Sequence, residues 1–265
     1  MKADYVFCID SDGCAMDTMT YKHQLFFGPL AADVFEIADR KAFLAEWNHV
    51  NLYSKRRGIN RFVGLVTGLK SAGVTGIEQL EAWVETTSSL SNASLEKALE
   101  ATPSEDLQKA LDWSLQVNQS IKDYDGAVLA FEGVRETLAF LKTKGKVFVV
   151  SSANKEAVLE EWQDQGLLEF VEDLYCQDRG KKEDVLAHLI EEGYDRHQML
   201  MIGDSPGDLK AAEQNGVHFY PILVGAEKTS WEQLLHTYSQ RFLNKEWTKE
   251  LEGALAAQFW ENLED

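Results

Sequence analysis

Positive charge is in short supply in this 265-residue chain: 26 lysines and arginines face 44 aspartates and glutamates, a formal net charge of −18. A field of that sign repels nucleic acid and anionic membrane surfaces, so neither is expected as a partner. Prolines number only four, and with 45% hydrophobic residues this excludes a proline-rich disordered chain. The three cysteines, Cys8, Cys14 and Cys176, are odd in number. Two lie in runs that read as buried strand or functional loop, which argues against a disulfide framework and suits a reducing compartment. No apolar run reaches 18 residues, and the opening Met1-Lys2-Ala3-Asp4 does not lead into the apolar core and cleavage site of a secretion signal. A soluble, cytoplasmic protein is expected, monomeric or homodimeric.

This length suits one α/β core with a second, smaller module. Short apolar runs at Tyr5 to Ile9, Val147 to Val150, Leu174 to Cys176, Leu200 to Ile202 and His218 to Leu223 read as buried parallel strands, most of them followed by helix-periodic stretches. That alternation predicts a Rossmann-like, doubly wound parallel sheet, an α/β class. The core is assigned to residues 1–17 and 127–224. Residues 18–126 lack a convincing strand and read as an inserted helical cap, with turns at Gly73 to Gly76 and Ser88 to Asn92. Within it, Thr102-Pro103-Ser104-Glu105 predicts a helix start with Thr102 as N-cap, running towards Ile121. Residues 225–265 carry Trp247, Leu251, Leu255, Phe259 and Leu263 at four-residue spacing, an amphipathic helix expected to pack on the core, with a dimer contact as the alternative.

Candidate chemistry gathers where strands end. After the first strand comes Asp10-Ser11-Asp12-Gly13, two carboxylates at i and i+2 with a glycine that permits a tight turn. One acid can attack while the other handles protons. Ligands of open α/β sheets bind beyond the carboxyl ends of the strands, and three more such loops carry suitable residues. They are Ser151-Ser152, Lys181-Lys182 and Gly203-Asp204-Ser205-Pro206-Gly207-Asp208.

In this order the four stations resemble the haloacid dehalogenase-like phosphatase superfamily. Its motifs are Asp-x-Asp-Gly (Asp10 to Gly13), a strand ending in Ser or Thr (Ser151), a Lys opening a helix (Lys182) and Gly-Asp-x-x-x-Asp (Gly203 to Asp208). Lys181 competes with Lys182, which is preferred because Val185, Leu186 and Leu189 set the helix in the family's register. The resemblance implies a Mg²⁺-dependent phosphohydrolase acting on a small phosphorylated metabolite. It implies Asp10 as nucleophile, Asp12 as general acid and base, and Ser151 and Lys182 as holders of the phosphoryl oxygens. For the metal it implies carboxylates from Asp10 and Asp204, the backbone carbonyl of Asp12, and support from Asp208.

Candidates for the rest of the substrate are Ser152 and Asn154 on the second loop, and Arg57 and Arg61 in the basic stretch Lys55-Arg56-Arg57-Gly58 to Arg61. That stretch also reads as a solvated surface run. Tyr21, Lys22 and His23 lie just past the first linker and are placed to line the cleft. A dehalogenase has no use for Asp12 and is set aside. A phosphosugar mutase uses the same aspartyl-phosphate chemistry and stays open; a phosphonate hydrolase would need a cap lysine, for which Lys22 and Lys55 are available. From another class, a receiver-type signalling module carries a similar acid set, but Asp12 and the inserted lobe count against it.

Overall fold

The computed structural model describes residues 5–265; the opening Met1-Lys2-Ala3-Asp4 lies outside the described residues. Five parallel strands form one sheet: β1 (Tyr5–Ile9), β2 (Gly145–Val150), β3 (Asp173–Tyr175), β4 (Met199–Gly203) and β5 (His218–Pro221), in the order β3-β2-β1-β4-β5. β1 is central, with Phe7 opposite Val147 on one side and Leu200 on the other. The chain moves outward from β1 through β2 to β3, then returns to β4 on β1's other flank. The strand order therefore reverses between β1 and β4, the place where such sheets bind ligands.

Side chains alternate across a strand, and the two faces are covered by different helices. Phe7, Ile9, Val147, Val149, Leu200 and Ile202 pack with Leu138 and Leu141 of the helix Val134–Lys142, with Val158 and Trp162 of the helix Lys155–Asp164, and with Trp231 and Leu234. On the opposite face Val6, Cys8, Phe148, Val150, Met199 and Met201 meet Leu186 and Leu189 of the helix Lys182–Glu191 and Leu209 and Ala212 of the helix Pro206–Asn215. Burial on both faces explains why these strands read as continuous apolar runs. The tail packs on the core: in its last helix, Lys249–Asn262, Leu255 joins the first cluster and Phe259 the second, along strand β5. An edge strand is thereby covered.

By its internal contacts the chain divides into two units, one formed by residues up to Met19 with Ala127–Asp265, the other by Thr20–Gly126. The second is helical, built around Phe43, Trp47, Phe62, Leu65, Trp113 and Val117. The long helix there starts later than the sequence suggests. It spans Glu105–Lys122, and its N-cap is Ser104, whose Oγ accepts from Leu107 N at 3.4 Å. Thr102 instead ends the preceding helix, Asn92–Ala101, so it cannot begin the next one, and Pro103 lies between the two. Two stretches of this unit, Lys22–Phe27 and His49–Tyr53, are wound as π-helix.

Candidate active site

The loop after β1 is a tight turn centred on Ser11. Its carbonyl accepts from the amides of Cys14, Ala15 and Met16 at 3.2, 3.0 and 2.9 Å, and Gly13, with φ 78°, donates to Met16 O at 2.8 Å. The left-handed backbone at Gly13 is why the motif needs glycine there. Asp10 is buried; its amide donates to Ile202 O of β4, and its Oδ1 accepts from Ser11 N at 2.8 Å. The half-buried Asp12 accepts from the Thr18 hydroxyl.

Beyond β4, Ser205 caps the helix Pro206–Asn215 and Asp208 stands at its third position. Asp208 Oδ2 accepts from Ser205 N at 3.0 Å and Ser205 Oγ at 2.7 Å. A Cβ on Gly203 would lie 2.3 Å from Asp208 Cγ, so only glycine lets this carboxylate fold back against the strand end. Lys182 bridges the two loops. Its Nζ lies 2.7 Å from Asp10 Oδ2 and 2.5 Å from Asp208 Oδ1, with its side chain only 10% exposed. Lys181, by contrast, is exposed at the helix N-cap. The geometry thus brings Lys182, not Lys181, to the acids.

Asp10, Asp204 and Asp208 each offer a carboxylate oxygen within 4.8 Å of the others, and all three are buried. Against these three negative charges Lys182 brings one positive charge. The residual two match a divalent cation, and hard carboxylate oxygens are the donors Mg²⁺ takes. The donor set therefore fits that ion. Electrostatics point the same way. Burial first, then the charge of Asp208 against the pull of Lys182, and the charge of Asp204, hold the Asp10 carboxyl well above the usual carboxylate range. Burial pulls the Lys182 ammonium down, but Asp10 and Asp208 outweigh it and raise it above its ordinary value.

A pH dependence follows. A raised carboxyl contributes stability that is complete below the unfolded carboxylate range and is lost as pH rises through the folded value. Cation binding requires the ionised form and runs the other way. The rise in Tm on adding Mg²⁺ is therefore expected to be small at about pH 5 and to grow towards about pH 8. A shift of the same size at both ends in a thermal melt would remove Asp10 from the cation site.

The second loop is placed by β2. Ser151 is buried, its amide donating to Tyr175 O at 2.9 Å and its Oγ accepting from Ala153 N at 3.1 Å. Ser152 is exposed. Asn154 caps the helix Lys155–Asp164, its Oδ1 accepting from Glu156 N and Ala157 N at 2.9 and 3.2 Å. In the helical unit, Arg57 is buried and donates from Nη1 to Leu52 O at 2.6 Å. Arg61 donates to Ser114 Oγ at 3.1 Å and Asn118 Oδ1 at 2.7 Å, with its guanidinium carbon 5.0 Å from the centre of the Phe27 ring. Both arginines thus help to hold the unit's own framework. Tyr21 stacks on Tyr124, Lys22 is buried, and His23 Nδ1 accepts from Trp47 Nε1 at 3.1 Å.

Sequence reasoning gave no role to Thr18, Ser205, Trp162 or Trp231. Ser205 had a legible signal, a Ser followed three residues on by an acid and directly by proline, which marks a capped helix start. Trp162 and Trp231 touch the site through contacts distant in sequence, and Thr18 reaches Asp12 from six residues on.

The family model for haloacid dehalogenase-like hydrolases matches residues 68–222. That is more than half of the chain, though it begins after Asp10 and Asp12. No curated protein matches the sequence. Among solved structures, similarity extends to two proteins assigned by prediction as phosphoglycolate phosphatases. The one from Lactobacillus delbrueckii subsp. bulgaricus is 17% identical, with a TM-score of 0.54 over 83% of this chain and 86% of that one. The one from Haemophilus somnus is 14% identical, with a TM-score of 0.52 over the same shares. At such identity the likeness speaks for the fold. With the family model spanning the last three motifs and the structure bringing Asp10, Lys182 and Asp208 together, the chain belongs to the haloacid dehalogenase-like hydrolases.

Proposed function

We propose that this hydrolase is a Mg²⁺-dependent phosphatase that takes the phosphoryl group of a small phosphorylated metabolite onto Asp10. The observation that carries the reading is the Lys182 ammonium, 2.7 Å from Asp10 Oδ2 inside a buried set of three carboxylates. Burying three acids around one lysine is costly, and such clusters gather where chemistry is done.

Asp10 and Asp204 would supply carboxylates to the cation and Asp12 its backbone carbonyl, with Asp208 in support beside them. The ion, when bound, offsets the repulsion between phosphate and carboxylate and holds Asp10 ionised. Asp10 attacks phosphorus through one carboxylate oxygen, forming the new P–O bond as the ester P–O bond breaks. Asp12 gives its proton to the leaving oxygen, so that an alcohol departs. It then takes a proton from water, whose oxygen attacks the same phosphorus and releases phosphate, restoring both acids. Lys182 and Ser151 hold phosphoryl oxygens where charge builds up. Asp208, with both oxygens engaged by Lys182 and Ser205, keeps that lysine aimed.

Phosphate release from a panel of sugar phosphates, nucleotides and short organic phosphates, phosphoglycolate included, tests this. Release is expected with Mg²⁺ and is expected to vanish with EDTA. Turnover that survives EDTA, or none on any phosphate ester, would overturn the reading. A phosphate ester that is isomerised rather than hydrolysed would identify a mutase.

A further inference from the structure

Two fully buried indoles grip the turn that carries Asp10, and neither belongs to any of the four motifs. Trp162 Nε1 donates to Ser11 Oγ at 2.8 Å, and Trp231 Nε1 donates to Cys14 O at 2.9 Å. Trp162 sits on the helix after the Ser151 loop. Trp231 sits on the helix Glu227–Gln233, in the tail beyond the residues matched by the family model.

Ser11 is the point through which the first indole reaches the nucleophile. Its hydroxyl receives Trp162, its amide holds Asp10 Oδ1, and its carbonyl gathers the three amides that close the turn. Trp231 fastens the far end of that same turn at Cys14. Both bonds lie in dry surroundings, where a lost partner leaves a buried polar group unsatisfied. We propose that Trp162 is a positioning residue for Asp10, acting through Ser11, with Trp231 as its counterpart at Cys14. The reaction it serves is the phosphoryl transfer proposed above. In-line attack tolerates little displacement of the nucleophile: an error of about 1 Å can cost about 10²-fold in rate.

Trp162→Phe keeps an aromatic ring and deletes the donor. With p-nitrophenyl phosphate as probe, kcat is expected to fall about tenfold to a hundredfold, with KM changed by less than about twofold. The double variant Trp162→Phe/Ser11→Ala removes both partners. Its Tm is expected to return towards wild type while kcat stays low, because no buried group is left unsatisfied yet Asp10 is still unguided. Unchanged kcat in Trp162→Phe, or a double variant that regains kcat together with Tm, would overturn the proposal, since a purely structural bond predicts that the two recover together.

A readout without turnover separates the two ideas. The indole protons of Trp162 and Trp231 are expected to exchange with solvent at least about 10²-fold more slowly than that of Trp260, which is 38% exposed. Equal rates sink the clamp whatever the activity. Slow exchange in a wild type inert towards every phosphate ester would keep the clamp and reject the hydrolase reading.

Discussion

Asp10→Asn is expected to lower Mg²⁺-dependent phosphate release by about 10⁴-fold or more. The substitution is nearly isosteric: the side-chain oxygen of asparagine can still accept from Ser11 N, and Lys182 keeps Asp208 as a partner. The turn should therefore stay folded, and the loss would report chemistry rather than structure. What the amide lacks is a carboxylate able to displace the leaving oxygen. Rapid quenching of the wild type with radiolabelled substrate should trap acid-stable, base-labile phosphate on Asp10, and none on the variant. A variant within about tenfold of wild type would mean that some other group attacks, since nucleophile loss is among the largest single effects known in enzymes.

The second large effect is expected at Lys182, and in stability as well as rate. Its ammonium separates two carboxylates that are themselves 7% and 0% exposed, Asp10 and Asp208. Lys182→Met fills similar space but leaves that pair facing each other without a counter-charge. Breaking a buried ion pair from one side costs about 3–5 kcal/mol, and chemical denaturation near neutral pH should find a loss of that order. The loss should shrink at acid pH, where Asp10, already held above the usual range, accepts a proton and relieves the repulsion. Turnover should fall about 10²- to 10³-fold, as when a preorganised donor is removed from a developing charge. A variant as stable as wild type near neutral pH would show that the cluster is neutralised by something other than Lys182.

The parts of this molecule that were legible in the sequence are those where one strong constraint acts on neighbouring residues. Burial on both faces makes a strand uniformly apolar, so Tyr5 to Ile9 and Met199 to Gly203 announce themselves, as do the acids at their ends. The choice between Lys181 and Lys182 depends on one residue of helix register, and it is Lys182 that lies beside Asp10. Reading stopped where a signal could serve two neighbours. Thr102 and Ser104 are both capping residues, and only the end of the preceding helix at Ala101 assigns the cap to Ser104. Arg57 and Arg61 read as one basic run, yet Arg57 turns back to Leu52 O while Arg61 meets Ser114 and Asn118 through helix packing that no local pattern records. The grip of Trp162 on Ser11 spans 151 residues, and a tryptophan on an apolar helix face reads from sequence as core alone.

The central position of β1 has a consequence for the order in which the chain is made. Tyr5 pairs with Gly145 on one side, and Val6 with Met199 on the other, so β1, made before the other four strands, gains its first neighbour only about 140 residues later and its second about 190 residues later. At about 5–20 residues per second the first of these waits is roughly 7 to 30 seconds. Meanwhile Thr20–Gly126, whose core residues all lie within that interval, emerges whole. Synthesis thus favours the helical unit folding before the sheet exists. A bare apolar segment must then be kept from other partners until the Met16–Ala130 bridge, with Asp17 N donating to Leu129 O, draws the two crossings together.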